Sequence, residues 1–395
     1  MMNLTSVDKA FQLATDARQV PGVVAIAATD QEIVYQAAFG KRDLAKPDAM
    51  TIDSVFWIAS MTKAITAAAA MQLVEAGKVA LDEPIGKILP DLAAPKVFDG
   101  LDASGAPKVR AAKQPITLRH LMTHTAGFCY HIWNADMLAY LGKTGTPDIT
   151  SCENKALAVP LFNDPGERWE YGINIDFIGK AVEAVSGKKL DAYLKDHIFA
   201  PLGMNDTAFK IGSAQRARLV GIHARSADGT IAPMAFEIPQ DPEFHMGGGG
   251  LYGTAPDYVA FIRMLLNNGS LNGNRVLKPE TVTMMAQNHI GELNVGKLPT
   301  AMPPFSNDVE LYPEQDKKWG LSFLINTQRT AEGRSPGSLA WAGLANTYFW
   351  VDTTRKIGGV ILMQLLPFFD KTALDLFATF ERGVYDSLNT TKAAA

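Results

Sequence analysis

The chain of 395 residues carries a formal net charge of −4, with 47% hydrophobic and 20% charged residues. This is the composition of a folded globular protein, and it excludes a disordered, collagen-like or coiled-coil chain. The sequence contains no block of Lys and Arg, so its charge pattern indicates neither a nucleic acid nor an anionic membrane as a partner.

The first forty residues predict a helix followed by a β-hairpin. Apolar residues recur at helical spacing over 7–14, and Pro21 ends that pattern. Two β-prone runs, 22–30 and 31–40, follow one another directly and are typical of a hairpin.

From about residue 64 to residue 200 the strong signals are helical. Helical patterns cover 61–77, 116–124 and 177–187, and the last of these ends at Gly187, a residue type common at helix C-termini. Pro- and Gly-rich connections separate the segments. The middle of the chain therefore predicts a mainly helical lobe.

The C-terminal part predicts three strands and a closing helix. The β-prone runs are 319–326, 345–352 and 357–366, and a helical pattern covers 373–388. Strands at both ends of the chain, joined by short turns, imply one antiparallel sheet. The alanines at 393–395 are left out of this prediction.

The predicted fold is therefore of the α+β class, with an antiparallel sheet flanked by helices. Residues 1–80 and 250–395 form the predicted core domain, and residues 81–249 form the mainly helical lobe. We expect the active site in the cleft between these two units.

Cysteine usage and hydropathy predict a cytoplasmic protein without a membrane partner. Cys129 and Cys152 are the only cysteines, which is too few for a disulfide framework. Residues 1–20 contain no apolar core of signal-peptide length, and the apolar run 64–74 is too short to cross a bilayer.

Ser60 and Lys63 stand at the start of the Ala-rich helical segment, three positions apart. This spacing puts the amine on the same helix face as the hydroxyl, where it acts as a base if burial lowers its pKa. The alternative is ordinary N-capping by serine. A chain of this length holds about one Ser-x-x-Lys by chance, and a second one, Ser186 to Lys189, lies at a helix end whose dipole opposes an oxyanion.

Two further features are each weak alone. Tyr171 precedes a predicted helix, where a phenol shuttles protons if nearby cations lower its pKa. Trp341, Ala342 and Gly343 lead into the run 347–352, and small residues there allow substrate to lie along a strand edge with a backbone N–H as oxyanion donor. Taken alone, each feature is better explained by packing.

Taken together, these features resemble the serine β-lactamase and penicillin-binding-protein superfamily, most of all the class C β-lactamases and the family VIII carboxylesterases. The resemblance covers almost the whole chain, in the expected order. The segments that carry it are FWIASMTK (56–63), ITLRHLMTHTAGF (116–128), WEYGINIDFIGKAVEAVSG (169–187), GGGGLYGTAPDYVAF (247–261) and WAGLANTYFWVD (341–352).

The resemblance implies a nucleophile, a proton-transfer pair and an oxyanion hole. Ser60 is the implied nucleophile, and Lys63 and Tyr171 are the implied proton-transfer pair. The backbone N–H groups of Ser60 and Leu344 are the implied oxyanion hole. Chemistry of this kind passes through an acyl-enzyme and needs no metal or organic cofactor.

The departures from the β-lactamase pattern concern substrate binding. Ile173 replaces the Asn of the Tyr-x-Asn motif and has no polar side-chain atom. Trp341, Ala342 and Gly343 stand where a Lys-Thr-Gly motif is expected. The lost cation and hydroxyl weaken binding of an anionic β-lactam by about 1–3 kcal/mol per charged hydrogen bond. The tryptophan offers apolar surface for a neutral group instead. We expect all four residues to contact substrate.

The sequence therefore predicts a serine carboxylesterase that hydrolyses short-chain neutral esters, with a small-molecule ester as its partner. A β-lactamase or D-Ala-D-Ala carboxypeptidase remains an alternative, with β-lactams as substrates, and so does an acyltransferase. A non-catalytic binding protein of the penicillin-binding-protein type is the alternative from another class. The oligomeric state and the natural substrate are left open.

Three other motifs are given structural interpretations. Gly333–Gly337 matches the Gly-x-Ser-x-Gly of α/β-hydrolases, but all seven histidines precede Ser335, so we expect a surface turn. His120 and His124 have metal-ligand spacing without the Glu or a third ligand, so we expect capping or core hydrogen bonds. Gly247–Gly250 lacks the Lys of a phosphate loop, and we expect a close backbone approach near the cleft.

Overall fold

A computed structural model describes residues 1–393, and residues 394–395, within the alanine tail set aside above, lie outside the described part. The longest run of consecutive helices, over 118–216, lies in the middle of the chain. In chain order the α-helices are α1 (Thr5–Asp16), α2 (Thr62–Glu75), α3 (Leu118–Met122), α4 (Ala135–Thr144), α5 (Asn174–Ser186), α6 (Leu190–Leu194), α7 (Ala200–Leu202), α8 (Ser213–Arg216), α9 (Ala255–Leu266), α10 (Pro279–Met285) and α11 (Lys371–Ala393).

The strands of the described residues are spread along the chain. In chain order they are β1 (Gly22–Thr29), β2 (Ile33–Gly40), β3 (Phe56–Trp57), β4 (Lys96–Leu101), β5 (Pro107–Ala111), β6 (His223–Arg225), β7 (Ile231–Pro233), β8 (Tyr252–Gly253), β9 (Ser270–Leu271), β10 (Asn274–Arg275), β11 (Lys317–Trp319), β12 (Leu324–Asn326), β13 (Leu339–Gly343), β14 (Thr347–Asp352), β15 (Ile357–Leu362) and β16 (Leu365–Leu366).

Seven strands form the main sheet, in the order β11-β12-β13-β14-β15-β1-β2. Every neighbouring pair is antiparallel. Strand β1 joins the two ends of the chain, because Ile26 lies opposite Gln36 of β2 on one side and Val360 of β15 on the other. The α+β fold and the closure of the sheet by both chain ends are therefore as the sequence predicts.

Helices cover both faces of this sheet. Successive residues of a strand point to opposite faces. Phe349 of β14 packs its ring 5.1 Å from that of Tyr258 in α9, whereas the next residue, Trp350, packs 5.3 Å from Phe380 in α11. Burial on both faces explains why the central strands are continuous apolar runs without polar alternation.

The predicted strand over 319–326 is wrong in detail, since this run forms the tight hairpin β11–β12. The Gly320 N–H bonds the Phe323 carbonyl at 2.8 Å, and Ser322 takes a positive φ of 78°. A Cβ on Gly320 would collide with the Met285 carbonyl, so the turn depends on a glycine and on a distant helix. The prediction also lacks β13: Leu339–Gly343 forms a separate strand, whereas the sequence predicts only that Trp341, Ala342 and Gly343 lead into the next strand.

The described part of 81–249 contains helices α3 to α8, together with the β4–β5 hairpin and two short strands. β6 and β7 form a small sheet with β16, in the order β16-β6-β7. This pairing ties the inserted segment to the C-terminal part of the chain. The division at residues 81 and 249 remains a prediction.

Among the described residues, no helix is both long enough and apolar enough to span a membrane.

Candidate active site

Ser60 lies in a short 3₁₀ turn, Ala59–Met61, that runs directly into α2. The residue before it, Ala59, has a φ of +45°, in the left-handed region that residues with a Cβ rarely adopt. Its neighbour Ile58 is fixed by a backbone hydrogen bond to Leu251 at 3.0 Å. The serine is thus presented by a strained turn that surrounding backbone holds in place.

Lys63 is completely buried in the first turn of α2, and three oxygen atoms surround its amine. Nζ lies 3.0 Å from Ser60 Oγ, 3.0 Å from the Tyr130 hydroxyl and 2.6 Å from the Gly248 carbonyl. Burial lowers the pKa of Lys63 to about 7, and the charge of Asp176 opposes this effect. A large fraction of the amine is therefore neutral near pH 7 and free to take the serine proton.

Tyr171 is buried beside Ser60 and Lys63 and lies just before α5. Its hydroxyl accepts a hydrogen bond from Trp341 Nε1 at 2.9 Å, and its ring centroid lies 4.8 Å from Lys63 Nζ. Burial raises the pKa of Tyr171 above its ordinary value, although hydrogen bonds with Ser60 and Trp341 lower it in part. The resting phenol is therefore protonated, which suits a proton donor rather than a standing base.

Tyr130 is a second tyrosine at the site, and no motif or spacing in the sequence indicates it. Burial raises its pKa well above the ordinary value, so it too is a neutral phenol. Its ring lies 5.3 Å from the ring of Tyr171 and its hydroxyl binds Lys63. The only signal is its position two residues beyond the segment 116–128.

The structure places Trp341 against Tyr171 rather than among the residues that line the cavity at Ser60. Its indole is 8% exposed and packs edge-on against Trp319 at 4.6 Å and against Tyr171 at 4.9 Å. Ile173 is buried at the start of α5. Contact of these two side chains with substrate remains a prediction.

Ala342 and Gly343 continue β13 at the edge of the site. A Cβ on Gly343 would meet the Thr347 hydroxyl and the Ile58 carbonyl, so only glycine allows this close approach to the turn that carries the serine. The next residue, Leu344, lines the same cavity as Ser60. This placement agrees with the predicted oxyanion hole, which remains a prediction.

A narrow cavity of about 40 Å³ opens beside Ser60. Its wall is mainly aromatic and aliphatic, and no lysine or arginine is among the described residues that line it. The one histidine there, His131, is held neutral because burial lowers its pKa. The residues that give the cavity its apolar character are Trp57, Ile132, Trp133, Ile149, Met246 and Leu344.

His124 is a buried core residue, as predicted, held by hydrogen bonds and ring packing. Its Nδ1 accepts a hydrogen bond from the Gly172 N–H at 3.4 Å and lies 2.9 Å from Asn174 Nδ2. Its ring packs 4.7 Å from that of Tyr171. Burial lowers the pKa of His124 well below its ordinary value, so the imidazole is neutral and supports the tyrosine by packing.

Gly247–Gly250 makes the predicted close backbone approach, whereas the predicted surface turn at Gly333–Gly337 is exposed only at Pro336 and Gly337. In Gly247–Gly250, the Gly247 carbonyl accepts a hydrogen bond from Thr66 Oγ1 at 2.8 Å, which brings this backbone against α2. Ser335 lies in a turn, where its N–H binds Asp352 at 2.9 Å. The neighbouring Arg334 is buried.

The sequence matches the Beta-lactamase family over residues 7–381. It is 31% identical to the monacolin J acid methylbutanoyltransferase of Aspergillus terreus, over 96% of this chain and 95% of that one. It is 31% identical to the lovastatin esterase of Penicillium rubens, over 96% and 98% of the two chains.

Among solved structures, the simvastatin synthase of Aspergillus terreus (LovD6 mutant) superimposes with a TM-score of 0.86, at 29% identity and over 98% of both chains. Together with the geometry of Ser60, Lys63 and Tyr171, these matches settle the kind of protein. The chain belongs to the Beta-lactamase family and is an enzyme of the serine-hydrolase type.

Proposed function

We propose that this enzyme is a serine acyltransferase that moves an acyl group from a neutral small-molecule ester, through Ser60, to the hydroxyl group of an acceptor. The observation that carries the proposal is the contact of Ser60 with a buried amine and a buried phenol beside a narrow apolar cavity. Two relatives are named for acyl transfer and for ester hydrolysis respectively, which supports a shared acyl-enzyme.

In the first half-reaction Ser60 Oγ attacks the ester carbonyl and Lys63 takes its proton across 3.0 Å. The alkoxide of the leaving alcohol takes a proton from Tyr171. The resulting phenolate lies beside the Lys63 ammonium and accepts a hydrogen bond from Trp341, and both contacts stabilise its charge. The backbone N–H groups of Ser60 and Leu344 hold the oxyanion.

In the second half-reaction the incoming hydroxyl group gives its proton to the Tyr171 phenolate and attacks the acyl carbonyl. The bond between the acyl carbon and Ser60 Oγ then breaks, and the serine recovers its proton from Lys63. All three side chains return to their starting states, so the cycle balances without another reactant.

The proposed substrates are neutral and carry a short acyl chain. The cavity offers no cation for a carboxylate and has little room for a long chain. Ile173 and Trp341 replace the polar groups that bind β-lactams in the related enzymes. We therefore expect weak turnover of β-lactams.

Hydrolysis is the second candidate, because water is a competing acceptor and one relative is an esterase. The relatives favour transfer over the plain carboxylesterase that the sequence predicts. The test supplies p-nitrophenyl butyrate with a series of alcohols and quantifies p-nitrophenol, butyrate and the new ester.

We expect the new ester to exceed free butyrate with the best alcohol, and both products to disappear in Ser60→Ala. Butyrate alone with every alcohol would leave hydrolysis as the function. Undiminished activity of Ser60→Ala would overturn the nucleophile. Faster cleavage of a chromogenic cephalosporin than of any ester would favour the β-lactamase alternative.

A further inference from the structure

Asp176 is a completely buried carboxylate in the first turn of α5, and the chemistry described so far gives it no task. Its Oδ1 accepts a hydrogen bond from the Gly248 N–H at 2.8 Å. Its Oδ2 is also buried and has no hydrogen-bond partner among the described residues. Burying a carboxylate with one oxygen unpaired is costly, so its presence needs a reason beyond packing.

Asp176 and Lys63 bind the same residue. Gly248 donates its N–H to Asp176 and accepts the Lys63 amine on its carbonyl at 2.6 Å. The peptide group between Gly247 and Gly248 is held at both of its polar atoms. Its carbonyl oxygen accepts a hydrogen bond from Thr66 Oγ1 at 2.8 Å, and its N–H is the one that binds Asp176. The direction of the Gly248 carbonyl, and with it the place of the amine, is therefore fixed from two helices.

Gly248 is in close contact with the Asp176 carboxylate, so a larger residue there would displace the carboxylate. A Cβ added there would lie 2.6 Å from Asp176 Oδ2, well inside van der Waals contact. The carboxylate thus packs directly on the backbone that binds the amine.

The charges of Asp176 and Lys63 are also coupled. Burial raises the pKa of Asp176 to about 6, and Lys63 and the Gly248 N–H oppose this rise. Asp176 in turn raises the pKa of Lys63 against the effect of burial. The other titratable groups that interact with this pair are neutral near pH 7, because burial shifts each of them toward its uncharged form. They are His124, Tyr130, Cys152 and Tyr171.

We propose that Asp176 is a positioning residue for Lys63: through Gly248 it holds the amine against Ser60, and its charge sets how readily the amine takes up a proton. The inference rests on the proposed function in one respect, that Lys63 acts as the base. The inference predicts that the position of the Lys63 amine and its pKa can be changed separately. Thr66 helps to fix the position of the amine but carries no charge.

The test is Asp176→Asn, which keeps an acceptor for the Gly248 N–H and removes the charge. We expect the pKa of Lys63 to fall by about one pH unit, because the opposite charge that favours the ammonium is gone. Titration by NMR of protein labelled with carbon-13 at the lysine ε-carbon measures this directly, with the Lys63 signal identified by its absence in Lys63→Met. The acid limb of kcat/KM for the p-nitrophenyl ester should move to lower pH by the same amount.

Two matched variants separate the contributions. Asp257→Asn removes another largely buried carboxylate whose pKa burial raises to about 6, bonded to Thr207 at 2.8 Å, and should leave the Lys63 titration unchanged. Thr66→Val loosens the Gly247 carbonyl and retains the charge, so kcat should fall several-fold while the pKa of Lys63 stays in place.

An unchanged Lys63 titration in folded Asp176→Asn would overturn the inference, even if kcat or Tm fell, because a purely structural role predicts that result. If Asp176→Asn does not fold, the wild-type titration decides: the Lys63 signal must show a second, smaller step from Asp176. The NMR readout needs no turnover. A shifted Lys63 signal in an enzyme without Ser60-dependent activity would therefore reject the proposed function, with Lys63 as its base, and would keep only the positioning and charge coupling of Lys63 by Asp176.

Discussion

The indole N–H of Trp341 donates a hydrogen bond to the hydroxyl of Tyr171 at 2.9 Å, and the two rings pack edge to face at 4.9 Å. The sequence predicts substrate contact for Trp341, which remains a prediction, and this bond points to a further role for the tryptophan. In the proposed mechanism, a donor aimed at the phenol oxygen stabilises the phenolate that forms when Tyr171 gives up its proton, so we expect Trp341 to act on the rate of acyl transfer.

Trp341→Phe tests that role, because it keeps the aromatic bulk and removes the donor. A hydrogen bond to a charged group is worth about 1.5–3 kcal/mol, so kcat should fall by about 10- to 100-fold with little change in KM. Steady-state kinetics on p-nitrophenyl butyrate make the measurement. A raised KM at unchanged kcat would show instead that Trp341 binds substrate.

The sequence predicted the fold well where structure is locally determined. The hairpin of β1 and β2 and the strand β15 follow from apolar runs and turn residues close in the chain. The hairpin β11–β12 was missed because its turn depends on Gly320 meeting the carbonyl of Met285, and no local pattern reveals that contact.

In the candidate site, too, the sequence predicts local contacts but not contacts between distant parts of the chain. Ser60 and Lys63 share one helical turn, so their contact follows from spacing. Tyr130 reaches Lys63 from 67 positions along the chain, and Asp176 reaches Gly248 from 72 positions away. Contacts of that separation come from tertiary packing, and they carry no periodic signal in the sequence.

The two tyrosines should differ strongly in their importance. Tyr171→Phe removes the group that protonates the leaving alkoxide, and general acid–base catalysis of this kind contributes about 10²–10⁴-fold. Tyr130→Phe removes only one of three partners of Lys63, so we expect a loss nearer tenfold. Stopped-flow acylation rates compare the two directly, and an equal loss in both variants would make Tyr130 a proton-transfer residue as well.

The pH dependence follows from Lys63 and Tyr171. Because burial lowers the pKa of Lys63 to about 7, the ammonium that cannot accept the serine proton dominates below that pH. kcat/KM should therefore rise with pH through about 7. Burial raises the pKa of Tyr171, so the loss at alkaline pH should begin only above 10. A profile that is flat between pH 5 and 9, measured at constant ionic strength, would contradict Lys63 as base.

The buried ion pair of Arg334 and Glu381 should dominate the stability of the C-terminal helix. The guanidinium meets the carboxylate at 2.5 and 2.6 Å, and both side chains are at most 2% exposed. Glu381→Gln leaves the arginine charge buried and should cost about 3–5 kcal/mol of unfolding free energy. Urea denaturation measures the loss. Glu332→Gln, whose partner Arg382 is 54% exposed, is the control and should cost no more than about 1 kcal/mol.

The length of the acyl chain should be set by the wall of the narrow cavity at Ser60. Ile149 lines that cavity and is 5% exposed, so Ile149→Ala opens space next to the nucleophile without adding a polar group. We expect the wild-type enzyme to prefer butyrate over octanoate esters, and the variant to raise the octanoate-to-butyrate ratio of kcat/KM by about tenfold. Ile325→Ala, a buried substitution in β12 outside the cavity wall, matches the loss of volume and should leave the ratio unchanged. An equal shift in both variants would mean that general loosening of the core, rather than the cavity wall, governs chain length.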